Sequence, residues 1–314
     1  MFRYIFRRML LLIPVMIIVS FIIFSILNLM PADAARVAAG YRATQEEIEY
    51  IREMMGLNYP FFVRYFNWLY GFVFHQHLGY SLMMGWPVYP IVMSAMPTTL
   101  TIAVIATVVS VIIGIPVGVI SAVKRYSIFD NAGMVFSIIG ISMPTFWQAM
   151  LLHLLVQHLI RLGVLPLELL IVGNNNFFTI LAGIILGVST SAIVARMTRS
   201  SMLEVIYKDH IRTARAFGRT ENDIMIKHAL KNALIPIITI VGLNFGALLA
   251  GSIYSEVVFR LNGIGSLLVW AIGSRDYPVL MGAVLVICLL FSVLNLFIDI
   301  LYTFIDPRVK TQYK

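Results

Sequence analysis

Long apolar runs separated by short polar segments dominate the chain. Runs of about 20 residues or more predict transmembrane helices. Six such runs are present, at Met9–Met30, Pro97–Val123, Ala132–Ile160, Phe177–Ala195, Ala233–Ser255 and Val279–Phe304. The third run is the least regular, because it is interrupted by Pro144, Gln148, His153, Gln157 and His158. The pattern therefore predicts six spans, with five or seven spans as the alternatives.

The composition agrees with an all-α polytopic membrane protein. Of the 314 residues, 60% are apolar and 12% are charged, and the mean hydropathy is +0.90. Soluble domains have about 45–50% apolar and about 25% charged residues, so one soluble core does not account for this chain. Cys288 is the only cysteine and lies in an apolar run. A disulfide scaffold, a cysteine-based metal site within the chain and a disordered protein are therefore excluded.

The lysines and arginines are distributed unevenly between the predicted loops. If the N-terminus is cytoplasmic, 16 of the 23 cations lie on the inner face and 7 on the outer face. Cytoplasmic loops of membrane proteins carry the excess of positive charge, so both termini are predicted to be cytoplasmic. The net charge of +8 then indicates orientation rather than a nucleic-acid partner.

The chain is expected to have three parts. Residues 1–30 form an N-terminal transmembrane helix, residues 31–96 an external loop with an amphipathic helix, and residues 97–314 a five-helix core with a cytoplasmic loop over 196–231. In the external loop, Thr44 and Glu47 form a capping box and Gly56 is a helix stop. The aromatic stretch Tyr59–Tyr70 suits an interfacial anchor, with partner docking or substrate guidance as the alternative.

The cytoplasmic loop over residues 196–231 is the most informative segment. It carries eight cations against four acids and has no proline. Gly218 is predicted to end one short helix, and Thr220 to cap another through Asp223. Such a compact basic projection suits docking into a cleft of a soluble partner, and it is equally consistent with binding to anionic lipid.

No motif of an enzyme is present. The sequence lacks a P-loop, a Gly-x-Ser-x-Gly motif and a His-Glu-x-x-His motif, and no catalytic or metal-binding residues are predicted. Ionisable residues are scarce within the spans, which disfavours an ion-coupled carrier.

Small residues recur at four-residue spacing in three spans. The pairs are Gly114 with Gly118, Gly183 with Gly187, and Gly242 with Gly246. Such pairs allow close helix packing, within a bundle or at a subunit interface. A translocation path can share those helices, and its candidate residues are Asn244, Gly242, Gly246 and Gln148.

Several segments resemble the permease subunits of bacterial ATP-binding cassette (ABC) importers of the dipeptide, oligopeptide and nickel branch. In the cytoplasmic loop they are Ser201-Met-Leu-Glu-Val, Ile211-Arg-Thr-Ala-Arg-Ala-Phe-Gly218 and Lys227-His-Ala-Leu-Lys-Asn-Ala-Leu-Ile-Pro236. Elsewhere they are Phe2-Arg-Tyr-Ile-Phe-Arg-Arg, Gly56-Leu-Asn-Tyr-Pro, Tyr65-x-x-Trp68-Leu, Ser142-Met-Pro144-x-Phe-Trp147, Arg275-Asp-Tyr-Pro278, Asn295-Leu-x-x-Asp299 and Asp306-Pro-Arg308. The resemblance extends over nearly the whole chain.

This resemblance implies a six-helix type I permease subunit of a bacterial inner membrane. The implied partners are a second homologous permease subunit, two ABC ATPase subunits that hold ATP and Mg, an extracytoplasmic substrate-binding protein and membrane lipid, with no cofactor in this chain and no nucleic acid. The residues implied to couple to the ATPases are Arg212, Thr213, Ala214, Arg215, Ala216, Gly218 and Arg219. The implied cargo is di- or oligopeptides, with nickel or a metal chelate as the alternative.

The chain departs from the family pattern at two places. Arg212-Thr-Ala214 stands where the general importer signature has Glu-Ala-Ala, a variant usual in this branch. Arg260-Leu-Asn-Gly263-Ile-Gly265 replaces a Trp-Pro-Gly turn, which concerns the external loop and its contact with a binding protein. Outside the family, an ion-coupled secondary carrier remains the alternative, and a membrane enzyme comes third.

Overall fold

The computed structural model describes residues 2–29, 33–40, 42–166 and 175–305, and these residues form helices and no strand. In chain order the α-helices are α1 Phe2–Leu29, α2 Ala34–Ala39, α3 Gln45–Met54, α4 Phe61–His75, α5 Val88–Val123, α6 Ile128–Ser142, α7 Thr145–Arg161, α8 Asn175–Ile206, α9 Asp209–Ala216, α10 Glu221–Asp223, α11 Lys231–Val258, α12 Ile264–Ser274 and α13 Tyr277–Ile305. A π-helical stretch, Ile224–Leu230, joins α10 to α11. The motif Asp306-Pro-Arg308 lies outside the described residues.

Within the part of the chain that the structure describes, five helical segments are long and apolar enough to cross a membrane, and a bent pair raises the count to six if it forms one span. The five are Met9–Leu29, Val88–Val123, Asn176–Ile206, Glu221–Val258 and Tyr277–Ile298. The bent pair is α6 and α7, which meet at 97° in the middle of the third predicted span.

The bend has a local cause at Met143 and Pro144. A residue that precedes proline is disfavoured in the α conformation, and Met143 is extended, with φ −83° and ψ 124°. The new helix begins immediately after Pro144. The irregularity of the third apolar run is therefore a break in the helix.

The chain divides into two compact units. One consists of the described residues within 99–261 and 294–305, and the other of those within 2–98 and 262–293. Both α5 and α13 contribute to each unit, because the unit boundaries fall inside these helices.

In the unit that contains Thr99–Leu261, glycines bring α5 and α8 into close contact. A Cβ on Gly118 would lie 2.5 Å from the carbonyl oxygen of Ala195 and 2.5 Å from the Cβ of Thr198. A Cβ on Gly187 would lie 2.6 Å from the Cβ of Val109. Helices pack this closely only through small residues, so the predicted close packing is confirmed for these positions.

In the other unit, α4 packs on α1 through aromatic side chains. The ring of Tyr65 lies edge-on to those of Phe21 and Phe24, and its hydroxyl lies 2.9 Å from that of Ser20. The predicted capping box at the start of α3 is confirmed. The Thr44 backbone N–H donates to the Glu47 carboxylate, and the Glu47 N–H donates to the Thr44 hydroxyl, at 2.7 and 3.3 Å.

The N-terminus of α13 in this unit is capped by a buried carboxylate. Asp276 accepts hydrogen bonds from the Ser81 hydroxyl at 2.5 Å, from the Met83 N–H at 3.2 Å and from the Val279 N–H at 3.4 Å. The first two donors lie in the loop between α4 and α5. Asp276 therefore ties that loop to the start of α13.

Candidate functional site

The polar segment after α8 folds into a corner of two short helices, which we call the basic corner and define as residues 209–223. Helix α9 has only eight residues, and isolated helices of that length are not stable in water. Its apolar residue Ile211 is fully buried in a cluster with Met202, Ile206 and Ile224. Tertiary packing of Ile211, with Ala214 against the same cluster, therefore holds α9 on the bundle.

Gly218 makes the turn of the basic corner. Its φ of +73° is in the left-handed region, which favours glycine. Its N–H donates to the Arg215 carbonyl oxygen at 2.9 Å, and the next helix is capped by Thr220, which accepts from the Asp223 N–H at 3.4 Å. Both predicted signals, the glycine stop and the threonine cap, are confirmed.

Ion pairs close the corner on its polar side. Arg215 donates from Nε to one oxygen of Glu221 at 2.7 Å and from a terminal nitrogen to the other at 3.2 Å. This hydrogen bond raises the pKa of Arg215. Asp223 pairs with Lys227 at 2.6 Å and with Arg219 at 3.3 Å. Exposed pairs of this kind contribute about 0–1 kcal/mol, so they fix the shape of the corner more than the stability of the fold.

The outer surface of the basic corner combines cations with one exposed aromatic ring. The Arg212 side chain is 73% exposed and Phe217 is 83% exposed. Thr213, Ala216 and Arg219 are also exposed, and Ala214 is half-buried. Exposed aromatic and arginine side chains are typical anchors of protein interfaces.

Sequence reasoning missed three residues of the corner. They are Ile211, which anchors α9, Phe217, which is exposed at the turn, and Glu221, which pairs with Arg215. Phe217 carried a usable signal, because a large apolar residue directly before a turn glycine in a polar loop has no core to fill. The pairing of Glu221 with Arg215 carried no sequence signal, because it depends on the geometry of the turn at Gly218.

The residues predicted for a translocation path lie at separate contacts. A Cβ on Gly242 would lie 2.7 Å from the Ile298 side chain, so Gly242 sits where α11 meets α13. Gln148 on α7 accepts a hydrogen bond from Ser189 on α8 at 2.5 Å. Asn244 is half-buried and its Nδ2 has no hydrogen-bond partner among the described residues, and Gly246 is buried. Their role in a path stays a prediction.

Two buried carboxylates of the same unit have partners far away in the sequence. Glu256 accepts from the Thr99 hydroxyl at 2.8 Å and from the Ser252 hydroxyl at 2.9 Å. Asp130 accepts two hydrogen bonds from Arg199. The sequence identifies the two acidic residues, but it does not identify the side chains that they contact.

Comparisons with known proteins agree with the fold. Residues 114–311 match the family of binding-protein-dependent transport system inner membrane components, and residues 1–103 match the N-terminal part of such membrane components. The chain is 38% identical over 335 aligned residues to a dipeptide transport system permease protein DppB of Alkalihalophilus pseudofirmus, covering 99% of this chain and 100% of that one. It is 36% identical over 337 aligned residues to DppB of Escherichia coli K12, covering 99% of both chains.

Two solved structures share the fold. One is an amino acid ABC transporter, with a TM-score of 0.51 and 17% identity, covering 70% of this chain and 94% of that one. The other is the MetNI methionine ABC transporter in inward-facing conformations, with a TM-score of 0.53 and 22% identity, covering 69% of this chain and 96% of that one.

The family match covers more than half of the chain, and the relatives are similar over its whole length. The chain therefore belongs to the family of binding-protein-dependent transport system inner membrane components, and it is a multi-pass permease subunit that works with other ABC transporter subunits rather than an enzyme.

Proposed function

We propose that this chain is the permease of an ATP-driven peptide importer and that the basic corner receives the movement of the ATPase subunits. The observation that carries the proposal is that α9 and its C-cap residue Phe217 together have one buried face and one exposed face. Ile211 is fully buried in the bundle, whereas Arg212 and Phe217 point their side chains outward. A surface free to dock a partner is thus attached firmly to the helices that would have to move.

The packing beneath α9 supports a rigid-body transmission. Ile211 shares one cluster with Met202 of α8, Ile224 of the π-helical stretch and Ile237 of α11. Densely packed interiors transmit displacement with little compression. A push on the basic corner would therefore shift the inner ends of α8 and α11 together, which would open or close a path between helices.

The assembly that fits this role has three kinds of partner. It would contain a second homologous permease subunit, two ABC ATPase subunits that bind ATP and Mg, and an extracytoplasmic substrate-binding protein. Docking of the ATPases requires the basic corner to be cytoplasmic. The excess of positive charge on that side supports this orientation, with both termini also inside.

The path would run beside α11. Asn244 offers a polar amide without a hydrogen-bond partner among the described residues, and Gly242 lets α13 approach within van der Waals contact. Gly246 lies one turn further along the same helix. Gln148 would act from α7, where its contact with Ser189 holds its side-chain position.

The proposed cargo is a di- or oligopeptide. Support comes from the full-length relatives that are named dipeptide transport permeases. Reconstitution of the complex with its binding protein in liposomes tests this. Dipeptides are expected to stimulate ATP hydrolysis and to accumulate inside, whereas stimulation by Ni²⁺ or a nickel chelate and not by any peptide would contradict the proposal.

Variants of the outer surface test the coupling role. In the same complex, Arg212→Glu and Phe217→Ala are each expected to lower substrate-stimulated ATP hydrolysis about tenfold, equivalent to about 1.4 kcal/mol of lost contact. Arg42→Glu makes the same charge change at an exposed position outside the corner and serves as the control. If both variants kept normal ATPase activity and still co-purified with the ATPase subunits, the basic corner would not be the coupling site.

A further inference from the structure

A cavity of about 800 Å³ lies in the unit formed by Phe2–Thr98 and Asn262–Val293. Its volume is within the range of about 300–1,000 Å³ that small-molecule sites occupy. The wall is mixed, with apolar side chains that include Phe24, Leu27 and Met281, and polar side chains that include Asn28, Arg64 and Tyr277. Neither the family assignment nor the proposed coupling role explains this cavity.

Three residues of the wall each carry a buried polar atom without a partner. The Nε of Arg64, the indole Nε1 of Trp68 and the hydroxyl oxygen of Tyr277 are all buried and have no hydrogen-bond partner among the described residues. Most buried polar groups in folded proteins are paired, so three unpaired groups around one cavity require an explanation. The N–H groups of Arg64 and Trp68 can only donate and the Tyr277 hydroxyl can also donate, so an acceptor would satisfy all three.

Charge in the wall favours an anion. The Arg64 side chain makes no ion pair with any described residue, whereas Arg52, the other cavity arginine, is paired with Asp33 and Glu49. Arg64 and Trp68 are four residues apart on α4, so they lie on one face of that helix. The cavity therefore offers one uncompensated positive charge flanked by neutral donors.

The position of the cavity along the helices indicates which anion it takes. Phe24, Leu27 and Asn28 form the last turns of the span Met9–Leu29, and Tyr277 begins the span Tyr277–Ile298. A site between the end of one span and the start of another lies at the level of the membrane surface. The phosphates of phospholipids lie at that level, with apolar chains continuing along the spans.

We infer that this cavity binds the phosphodiester headgroup of a membrane phospholipid, with Arg64 as the charge partner and Trp68 and Tyr277 as neutral donors. The three donor atoms are shielded from solvent, so the bound headgroup reaches them after small side-chain shifts or through an ordered water. Asn28 and Asn67 are available to the glycerol oxygens, and the apolar wall covers the first segment of the acyl chains.

Photo-crosslinking of the intact transporter complex in detergent tests the inference. A photoactivatable phosphatidylglycerol is expected to label, saturably, peptides from the end of α1, from α4 and from the start of α13. Arg64→Gln is expected to raise the half-saturating lipid concentration about tenfold and Tyr277→Phe about threefold. Tyr59→Phe removes a hydroxyl from the same cavity wall at an exposed residue, and it is expected to change nothing.

Competition distinguishes the source of the phosphate group. Dihexanoyl phosphatidylglycerol is expected to displace the label, whereas the same concentration of inorganic phosphate or of a dipeptide is not. Displacement by phosphate would assign the site to a free anion, and displacement by dipeptide would assign it to the cargo. Either result, or equal labelling of the Tyr277→Phe and Tyr59→Phe variants, would overturn the inference. If the Arg64→Gln variant does not assemble into the complex, the comparison of Tyr277→Phe with Tyr59→Phe still tests the inference.

Discussion

Arg199 on α8 holds Asp130 on α6 through two hydrogen bonds, of 2.7 and 2.8 Å, that join both carboxylate oxygens to the guanidinium group. Asp130 is only 2% exposed, and its second oxygen also accepts from the Tyr126 N–H at 3.0 Å. Such a bidentate pair fixes the orientation of both groups. It locks the first turn of α6 to the C-terminal part of α8.

Breaking this pair is expected to destabilise the permease. Asp130→Asn leaves the half-buried guanidinium of Arg199 without its counter-charge, at a cost of about 1–3 kcal/mol. The measurement is the thermal unfolding midpoint of the purified permease complex. Glu49→Gln removes one carboxylate from Arg52 at an exposed site, and it is expected to cost less than about 1 kcal/mol. Equal midpoints for the two variants would show that the buried pair is not structural.

Two Gly→Ala changes are expected to have opposite effects on stability. Gly118→Ala places a Cβ 2.5 Å from the Ala195 carbonyl oxygen, which forces α5 and α8 apart and costs about 1–3 kcal/mol. Gly251→Ala adds the same methyl group within α11, where nothing lies within 4 Å, and gains about 0.5–1 kcal/mol of helix propensity. Unfolding midpoints of both variants measure the difference. A loss of stability at Gly251 as large as at Gly118 would refute the steric explanation.

Removal of the Asp276 carboxylate is expected to free the loop between α4 and α5. Asp276→Ala leaves Ser81 and the Met83 N–H without their acceptor and removes the cap of α13, at a cost of about 1–3 kcal/mol. Limited proteolysis should then cut within residues 79–87 at least several times faster. Ser274→Ala, where an exposed hydroxyl bonds only within its own helix, is the control. An unchanged rate of cleavage within this loop in Asp276→Ala would show that the Asp276 carboxylate does not hold the loop in place.

Exchanging the charges of Arg215 and Glu221 distinguishes a role in the shape of the basic corner from direct contact with the ATPase. Arg215→Glu faces Glu221 with a like charge and is expected to open the corner and to lower substrate-stimulated ATP hydrolysis about tenfold. Arg215→Glu combined with Glu221→Arg rebuilds the pair, so it is expected to recover most of that activity. The measurement is ATP hydrolysis by the reconstituted complex. Failure of the double variant to recover would mean that Arg215 contacts the ATPase itself.

Sequence alone determined the features that depend on residues close together in the chain. The apolar runs located the spans, since a helix crosses about 30 Å of hydrocarbon with about 20 residues. The Thr44 capping box, the Thr220 cap and the Gly218 stop were also readable, because each involves groups no more than a few positions apart. The turn of the basic corner was therefore located without the structure, whereas the roles of Ile211, Phe217 and Glu221 were not.

Only the tertiary structure decided which distant groups meet. Thr99 and Glu256 are 157 positions apart, and Asp130 and Arg199 are 69 apart, so their pairing depends on how whole helices pack. The same holds for the burial of Ile211 and for the cavity that Arg64, Trp68 and Tyr277 share. Hydrophobic periodicity specifies that a helix has an apolar face, but packing between helices selects the side chain that each face contacts.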